Sequence, residues 1–363
     1  MRDVNNGFNQ PYLEMLLPVI TRLNKKQYST LPVHKESLAT ISELAPSKNL
    51  LSSSSKNGGV GSFELNPWFV TGFVDAEGCF TISIIKDPRY KAGFRVEAIF
   101  SIALHKKDFA ILELIQGFFD GVGKIKYETK RDVVSYVIRS KDQIAKVLLP
   151  HFDLYPLISQ KQGDYLLFKQ AYKLISNNAH LTTEGLTEIV AIKAQINLGL
   201  PSKLRVAFPI LPSVTRLFIT DPVIPNPYWI AGFTSGEGSF YVKVSQSLST
   251  NSGSQVQLFF YITQHIRDKQ LLEKLISFFG AGRYHVMEGK GWASYECSKI
   301  SDIILKIIPF FTEYSVVGVK HSDFEDWCKI AKLVEAKSHL TAKGLTEILE
   351  IKRGMNKLRV SGI

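Results

Sequence analysis

The chain has 363 residues, with 44 lysines and arginines against 33 aspartates and glutamates, so its formal net charge is +11. Hydrophobic residues make up 45 % and charged residues 21 %, which excludes a wholly disordered chain because such chains lack apolar surface to bury. The positive balance favours a polyanionic partner such as nucleic acid, and the length predicts two domains.

Cysteine count and hydropathy exclude further classes. Cys79, Cys297 and Cys328 have neither the even number of a disulfide framework nor the close spacing of a zinc site, which favours a reducing compartment. No apolar run reaches the roughly 18 residues that span a bilayer, and no secretory signal precedes the domains. We therefore expect no association with a membrane.

The N-terminal part differs in composition from the rest. SSSSKNGG at 52–59 is typical of a flexible linker, and one short apolar stretch at 13–23 is the only helix candidate before it. We interpret residues 1–62 as an arm and linker, partly disordered or left from an upstream fusion.

From residue 63 the sequence repeats itself. NPWFVTGFVDAEGCFTISI at 66–84 returns as NPYWIAGFTSGEGSFYVKV at 226–244, and HLTTEGLTEIVAIK at 180–193 returns as HLTAKGLTEILEIK at 339–352. A proline-rich stretch, 201–225, lies between the copies. This pattern predicts a first repeat at 63–200, a linker at 201–225 and a second repeat at 226–363, related by an approximate two-fold axis.

Each repeat is predicted to run helix, hairpin, helix, hairpin, helices. Asn-Pro at 66–67 and at 226–227 is typical of a helix start, and Gly78 and Gly238 are suited to ending those helices. Apolar residues then alternate with polar ones, as in strands with one buried face. Asp108 and Asp268 are predicted to cap the second helix of each repeat. The fold class is therefore α+β, with one antiparallel sheet in each repeat.

Two features of the first helices indicate chemistry. Gly72 and Gly232 stand mid-helix, where glycine costs about 1 kcal/mol relative to alanine, and they allow two backbones to approach closely. Glu77 is repeated as Glu237 in the last turn, where the helix dipole disfavours negative charge. Packed side by side, the two carboxylates would need a cation, and their oxygens suit Mg²⁺. With a polyanionic partner, this predicts metal-assisted phosphodiester hydrolysis.

The helices VTGFVDAEG at 70–78 and IAGFTSGEG at 230–238 resemble the two motifs of a single-chain LAGLIDADG homing endonuclease of the organellar intron-encoded type. The resemblance covers residues 66 to about 360. It implies a saddle of two antiparallel sheets on double-stranded DNA, with the motif helices at its centre and cleavage that leaves short 3′ overhangs. It also implies that Glu77 and Glu237 bind Mg²⁺ as catalytic acids, with Mn²⁺ or Ca²⁺ able to substitute in binding. The backbone carbonyls of Ala76 and Gly236 are the further metal ligands it implies.

Other catalytic candidates follow from the same resemblance. Gln264 matches a glutamine near the acid, whereas the first repeat has Leu104 at the equivalent position, so the half-sites differ. Lys161 and Lys320 occupy equivalent places, each before a helix expected to begin near Asp164 or Asp323, and are candidates to face phosphate.

Polar residues at outward strand positions are the candidates for DNA recognition, since arginine, lysine and glutamine pair with base edges and phosphates. They are Ser83, Lys86, Arg89, Arg95, Lys124, Lys126 and Arg139 in the first repeat, and Lys243, Ser245, Gln246, Gln255, Gln257, Arg283 and His285 in the second. The two sets differ strongly, which predicts a non-palindromic target.

Two alternatives share this fold. The protein could be an RNA maturase that assists group I intron splicing, or a nuclease-dead DNA-binding protein; retention of both glutamates favours the nuclease. The family resemblance further implies a mitochondrial setting. Because the duplication supplies both halves, we expect a monomer.

Overall fold

The structure is a computed structural model that describes residues 65–128, 131–247 and 253–356. The arm predicted at 1–62 lies outside these residues. The described residues belong to the unit that spans 50–363. Among them, no helix is both long enough and apolar enough to cross a membrane.

The first helix of each repeat begins and ends where the sequence predicts. Helix α1 spans Pro67–Glu77, and its counterpart, which we number α7, spans Pro227–Glu237. Asn66 and Asn226 cap them, each accepting a 2.9 Å bond from the backbone N–H two residues later. These caps satisfy donors that a helix start leaves unpaired.

The remaining elements have the same order in both repeats. In the first repeat they are β1 (Gly78–Lys86), β2 (Phe94–His105), α2 (Phe109–Phe118), β3 (Lys124–Glu128), β4 (Val133–Ile138), α3 (141–154, with a π-helical turn at Ile144–Leu148), α4 (Lys161–Ser176) and α5 (Thr183–Ala194). The linker holds α6 (Ser202–Ala207). In the second repeat they are β5 (Gly238–Gln246), β6 (Ser254–His265), α8 (Lys269–Phe279), β7 (Arg283–Met287), β8 (Trp292–Cys297), α9 (300–313, with a π-helical turn at Ile303–Ile307), α10 (Val319–Glu335) and α11 (Ala342–Arg353).

Each repeat forms one four-stranded antiparallel sheet, with strand orders β1-β2-β4-β3 and β5-β6-β8-β7. Phe80 and Phe240 stand at equivalent positions on the buried faces and are fully buried among aromatic rings. The predicted α+β class, the antiparallel sheets and the duplicated architecture are confirmed.

The predicted residues stand at these helix ends, but the conformation or the capping bond predicted for them is wrong. Gly78 and Gly238 follow the motif helices with extended backbone, not the left-handed conformation of a glycine cap. They must be small because a Cβ at Gly78 would lie 2.5 Å from Val74 Cγ1. Asp108 and Asp268 stand at N-cap positions, but neither side chain caps its helix, because both accept bonds from the other repeat.

The linker is anchored to the first repeat by a buried charge pair. The Arg216 guanidinium pairs with the Asp164 carboxylate and donates to the Gln160 carbonyl at 2.8 Å. The Gln160 amide group in turn bonds both backbone groups of Ile219. A buried arginine needs such partners, since an unpaired buried charge is strongly destabilising.

His151 on α3 is a buried ionisable group in a nest of aromatic rings. Its Nε2 lies 3.1 Å from Thr71 Oγ1, and the rings of Phe118, Phe119 and Phe152 surround it. Burial lowers the pKa of His151 to about 4. The second repeat has Phe310 at the equivalent position, again between a proline and a phenylalanine.

We expect His151 to make stability fall in acid. The unfolded chain, with a histidine pKa of about 6.5, binds the proton first, so the stabilisation is complete above that pH and is lost as pH falls toward 4. The loss is on the order of 3 kcal/mol. Free energies of unfolding measured from pH 7 to 4 should fall less steeply for His151→Phe than for the wild type. Equal slopes would contradict this.

Candidate active site

The two motif helices cross at their glycines. A Cβ at Gly72 would lie 2.0 Å from the carbonyl oxygen of Trp229, and one at Gly232 would lie 2.0 Å from that of Phe69. No side chain fits between backbones this close. The predicted close approach of α1 and α7 is therefore confirmed.

The crossing brings the helix ends together. A Cβ at Gly236 would lie 2.4 Å from Ala76 Cβ and 3.0 Å from Glu77 Cγ, so the end of α1 lies against the end of α7. Burial, followed by the neighbouring Glu77 charge, raises the pKa of Glu237 to about 7. The structure thus brings Glu77 and Glu237 into electrostatic contact at the C-terminal ends of the two helices.

One lysine of each repeat contacts the end of its own motif helix. The Lys161 ammonium donates to the carbonyls of Val74 and Ala76 at 2.9 and 3.0 Å. The Lys320 ammonium donates to the equivalent carbonyls, those of Thr234 and Gly236, at 3.1 and 2.7 Å. The carbonyls of Ala76 and Gly236 belong to the last turn of the helices, whereas those of Val74 and Thr234 also accept the N–H groups of Gly78 and Gly238.

Burial and charge oppose each other at both lysines. Burial lowers the pKa of Lys161, while Asp75, Glu237 and Glu77 oppose that shift. Burial lowers the pKa of Lys320 to about 8, although the charges of Glu237 and Glu77 oppose that shift. The site therefore brings together two carboxylates and two ammonium groups, all on half-buried residues. The helix starts expected near Asp164 and Asp323 were placed too late, since α4 begins at Lys161 and α10 at Val319.

Asp75 is a buried carboxylate beside this site. It accepts bonds from the N–H groups of Ile158 and Ser159, from the Ser159 hydroxyl at 2.5 Å and from Trp229 Nε1 at 2.9 Å. Burial raises the pKa of Asp75, and these donors oppose the shift. The second repeat has Ser235 here, whose hydroxyl accepts the N–H of Val317, the residue equivalent to Ile158. Asp75 thus joins α1, α7 and the loop before Lys161.

Gln264 and Leu104 lie at equivalent positions near the ends of β6 and β2, on the buried side of each sheet. The Gln264 side chain hydrogen-bonds Glu237, which opposes the rise in the pKa of that acid. Leu104 is buried and has no polar atom to offer Glu77. The predicted asymmetry of the half-sites is present in the structure.

Strand register assigns most recognition candidates to the outer face of a sheet, opposite the helices. These are Ser83, Arg95, Lys124, Lys126 and Arg139 (directly after β4) in the first sheet, and Lys243, Ser245, Gln255, Gln257, Arg283 and His285 in the second. The outward position was wrong for the others. By strand alternation Lys86 and Gln246 fall on the buried side of their sheets, but they end their strands and are exposed there. Arg89 lies in a turn, where it pairs with Asp87 at 2.8 Å.

Acidic residues lie beside two of the outer arginines. Arg283 pairs with the buried Glu296 at 2.6 Å, and Arg139 lies 3.8 Å from Glu97. A charge-assisted bond to a buried carboxylate restricts the guanidinium, so Arg283 is presented in a defined orientation.

Sequence reasoning missed an aromatic cluster on the outer face of the second sheet. Tyr241 pairs with Phe259 across the strands, and the rings of Phe259 and Tyr261 stack at 5.4 Å. The signal was present, because Phe259 and Tyr261 continue the alternation of Gln255 and Gln257. These rings offer apolar contacts next to the polar candidates.

A family model described as LAGLIDADG endonuclease matches residues 70–172 and 230–331. The probable intron-encoded endonucleases 3 and 2 of Neurospora crassa are 41 % and 40 % identical to this chain over 79 % and 80 % of its length. The chain spans only 54 % and 65 % of those two relatives. An uncharacterized 50.9 kDa protein in ND4 intron 1 of Podospora anserina is 49 % identical over 32 % of this chain and 26 % of its own length.

Among solved structures, the LAGLIDADG homing endonuclease I-SmaMI bound to cleaved DNA is 47 % identical, with a TM-score of 0.80, over 82 % of this chain and 99 % of that one. I-SmaMI has also been solved on uncleaved DNA in the presence of calcium ions, and as a double variant in which two lysines are replaced by alanine. With two family matches and two crossed motif helices that end at paired acids, this chain belongs to the LAGLIDADG endonuclease family and carries both motifs in one polypeptide.

Proposed function

We propose that the protein is a site-specific endonuclease that hydrolyses both strands of a long, non-palindromic DNA site and leaves short 3′ overhangs. The observation that carries this proposal is the crossing of α1 and α7, which brings Glu77 and Glu237 together between the ammonium groups of Lys161 and Lys320. A DNA-binding regulator needs no such pair of acids at a helix junction.

The residues at the crossing fit a divalent cation of the Mg²⁺ type. Glu77 and Glu237 would hold it with their carboxylates, whose mutual repulsion adds to burial in raising the pKa of Glu237. The carbonyls of Ala76 and Gly236 each keep a second lone pair beyond the lysine bond. In the described part of the chain no three His, Cys, Asp or Glu side chains cluster, so water and phosphate would supply the remaining ligands, as Mg²⁺ prefers. When bound there, the cation supplies Lewis acidity and a nucleophilic water at neutral pH.

The other residues have roles that follow from their contacts. Lys161 and Lys320, held at the helix ends, place positive charge where the scissile phosphates would lie and offset charge that develops on them. Their separation along the chain equals that of the two lysines replaced in the I-SmaMI double variant. Gln264 orients Glu237 by a hydrogen bond that Leu104 cannot make for Glu77.

Recognition is assigned to the outer faces of the two sheets. Lys124, Lys126 and Arg95 make the first face basic, whereas the second carries glutamines and the Tyr241–Phe259–Tyr261 cluster. Because the two faces differ, the two half-sites they read must differ. We infer that one chain suffices, since the duplication supplies both halves, and that it acts in mitochondria, as intron-encoded relatives support.

The test is cleavage of DNA from the intron-free allele of the host gene, in Mg²⁺ and in EDTA. We expect double-strand breaks with 3′ overhangs in Mg²⁺ alone, and slower cutting of one strand by Gln264→Leu, which copies the first repeat. Tight binding without cleavage in Mg²⁺ or Mn²⁺ would favour a DNA-binding regulator. If the protein binds intron RNA and not this DNA, the maturase hypothesis replaces the nuclease.

A further inference from the structure

We propose that Asp108 and Asp268 are positioning residues for cleavage, each holding the backbone just before the site lysine of the opposite repeat. We call these two segments, residues 158–160 and 317–319, the lysine loops. This inference rests on the proposed function, because it assigns them to the lysines of the same site. Cleavage of each DNA strand would then depend on a hydrogen bond between the two repeats.

The contacts are equivalent in the two repeats. Asp268 Oδ1 accepts the N–H of Gln160 at 2.8 Å, and Asp108 Oδ1 accepts the N–H of Val319 at 3.2 Å. Gln160 and Val319 directly precede Lys161 and Lys320. The two acceptors stand at equivalent positions of the repeats, and so do the two donors, so both bonds follow the duplication.

Several observations distinguish these bonds from incidental helix-start contacts. Both aspartates stand at the N-cap of a helix, yet neither side chain caps it. Asp268 is only 4 % exposed, and a buried carboxylate is costly unless it is well bonded. Gly318 makes room for the other contact, because a Cβ there would lie 2.4 Å from Ile111 Cδ1 and 3.0 Å from Asp108 Oδ1.

The bonds fix the backbone from which each lysine extends. Lys161 is the first residue of α4 and Lys320 the second of α10, and their ammonium groups reach the carbonyls of Ala76 and Gly236. A misplacement of about 1 Å in a catalytic group can slow a reaction by about 10²-fold. Losing the aspartate should therefore affect rate more than DNA affinity.

The two contacts are not equally supported. Gln160 is also held by Arg216 and by Ile219 of the linker, so the first lysine loop has anchors besides Asp268. Within the described residues no linker segment lies against the second loop in the same way, and that loop is held by Asp108 and by the Ser235–Val317 bond. We therefore expect the larger effect from the loss of Asp108.

The experiment measures single-turnover cutting of each strand, using duplexes labelled on one strand or the other. Asp108→Ala and Asp268→Ala should shift the ratio of the two strand rates in opposite directions, by about 10- to 100-fold, with DNA affinity unchanged. Asp→Asn variants should keep most of the rate, because the amide Oδ1 still accepts the N–H. Asp142→Ala, which removes an exposed aspartate paired with Lys146 on its own helix, is the matched control.

A purely structural role would give a different result. Equal slowing of both strands in proportion to a lowered melting temperature, or Asn variants as slow as Ala variants, would overturn the proposal. Amide hydrogen exchange gives a readout without DNA: Asp268→Ala should speed exchange at Gln160 and Asp108→Ala at Val319. If the wild type cuts no target, the proposed function fails, and unchanged exchange in these variants would separately overturn the positioning contacts.

Discussion

Replacing either Glu77 or Glu237 with glutamine is expected to abolish double-strand cleavage while leaving DNA binding intact. Glutamine keeps the shape of the side chain but removes the charge that a divalent cation requires. Transition-state stabilisation by such an ion amounts to several kcal/mol, so the rate should fall at least about 10³-fold. Plasmid cleavage and gel-shift affinity for the same site measure both properties.

The variants also carry an internal control for folding. Because burial and the Glu77 charge both raise the pKa of Glu237, glutamine at Glu237 removes a buried charge and glutamine at Glu77 removes the repulsion, so the melting temperature should not fall. Glu350→Gln, on the exposed side of α11, is the matched control and should cut as the wild type does. Wild-type cutting by either site variant would remove the paired acids from the mechanism.

Alanine at Gly72 or Gly232 is expected to destabilise the protein by about 3 kcal/mol, because the added Cβ meets a backbone carbonyl at 2.0 Å. The better helix propensity of alanine returns only about 1 kcal/mol, so the steric clash decides the sign. Separation of α1 and α7 would also separate Glu77 from Glu237, and cleavage should be lost with stability. Denaturant unfolding and the cleavage assay measure the two losses.

Gly117→Ala is the matched control for those variants. Gly117 lies in α2, where a Cβ would meet no atom within 4 Å, so alanine should leave stability unchanged or raise it by up to about 1 kcal/mol. If Gly72→Ala were as stable as Gly117→Ala, the helix crossing would be looser than the structure describes.

Much of the fold follows from local rules that the sequence obeys twice. The Asn caps bond the helix starts, and Phe80 and Phe240 fall on the buried faces that alternation assigns them. The pairing of Glu77 with Glu237 was also predictable, since this is the motif acid that the second repeat retains, while Asp75 becomes Ser235. These features depend on neighbours a few residues away or on comparison of the two copies.

The sequence by itself determined the duplication, the class of each element and the paired acids, because these rest on periodicity and repetition. Only the tertiary structure determines that Asp108 and Asp268 accept hydrogen bonds from the opposite repeat instead of capping their own helices. Their partners lie 211 and 108 residues away, so no local pattern names them. The lysine ammonium groups likewise find helix-end carbonyls 84 to 87 residues distant. A polar group takes the best partner that packing brings near, and packing is settled by the whole chain.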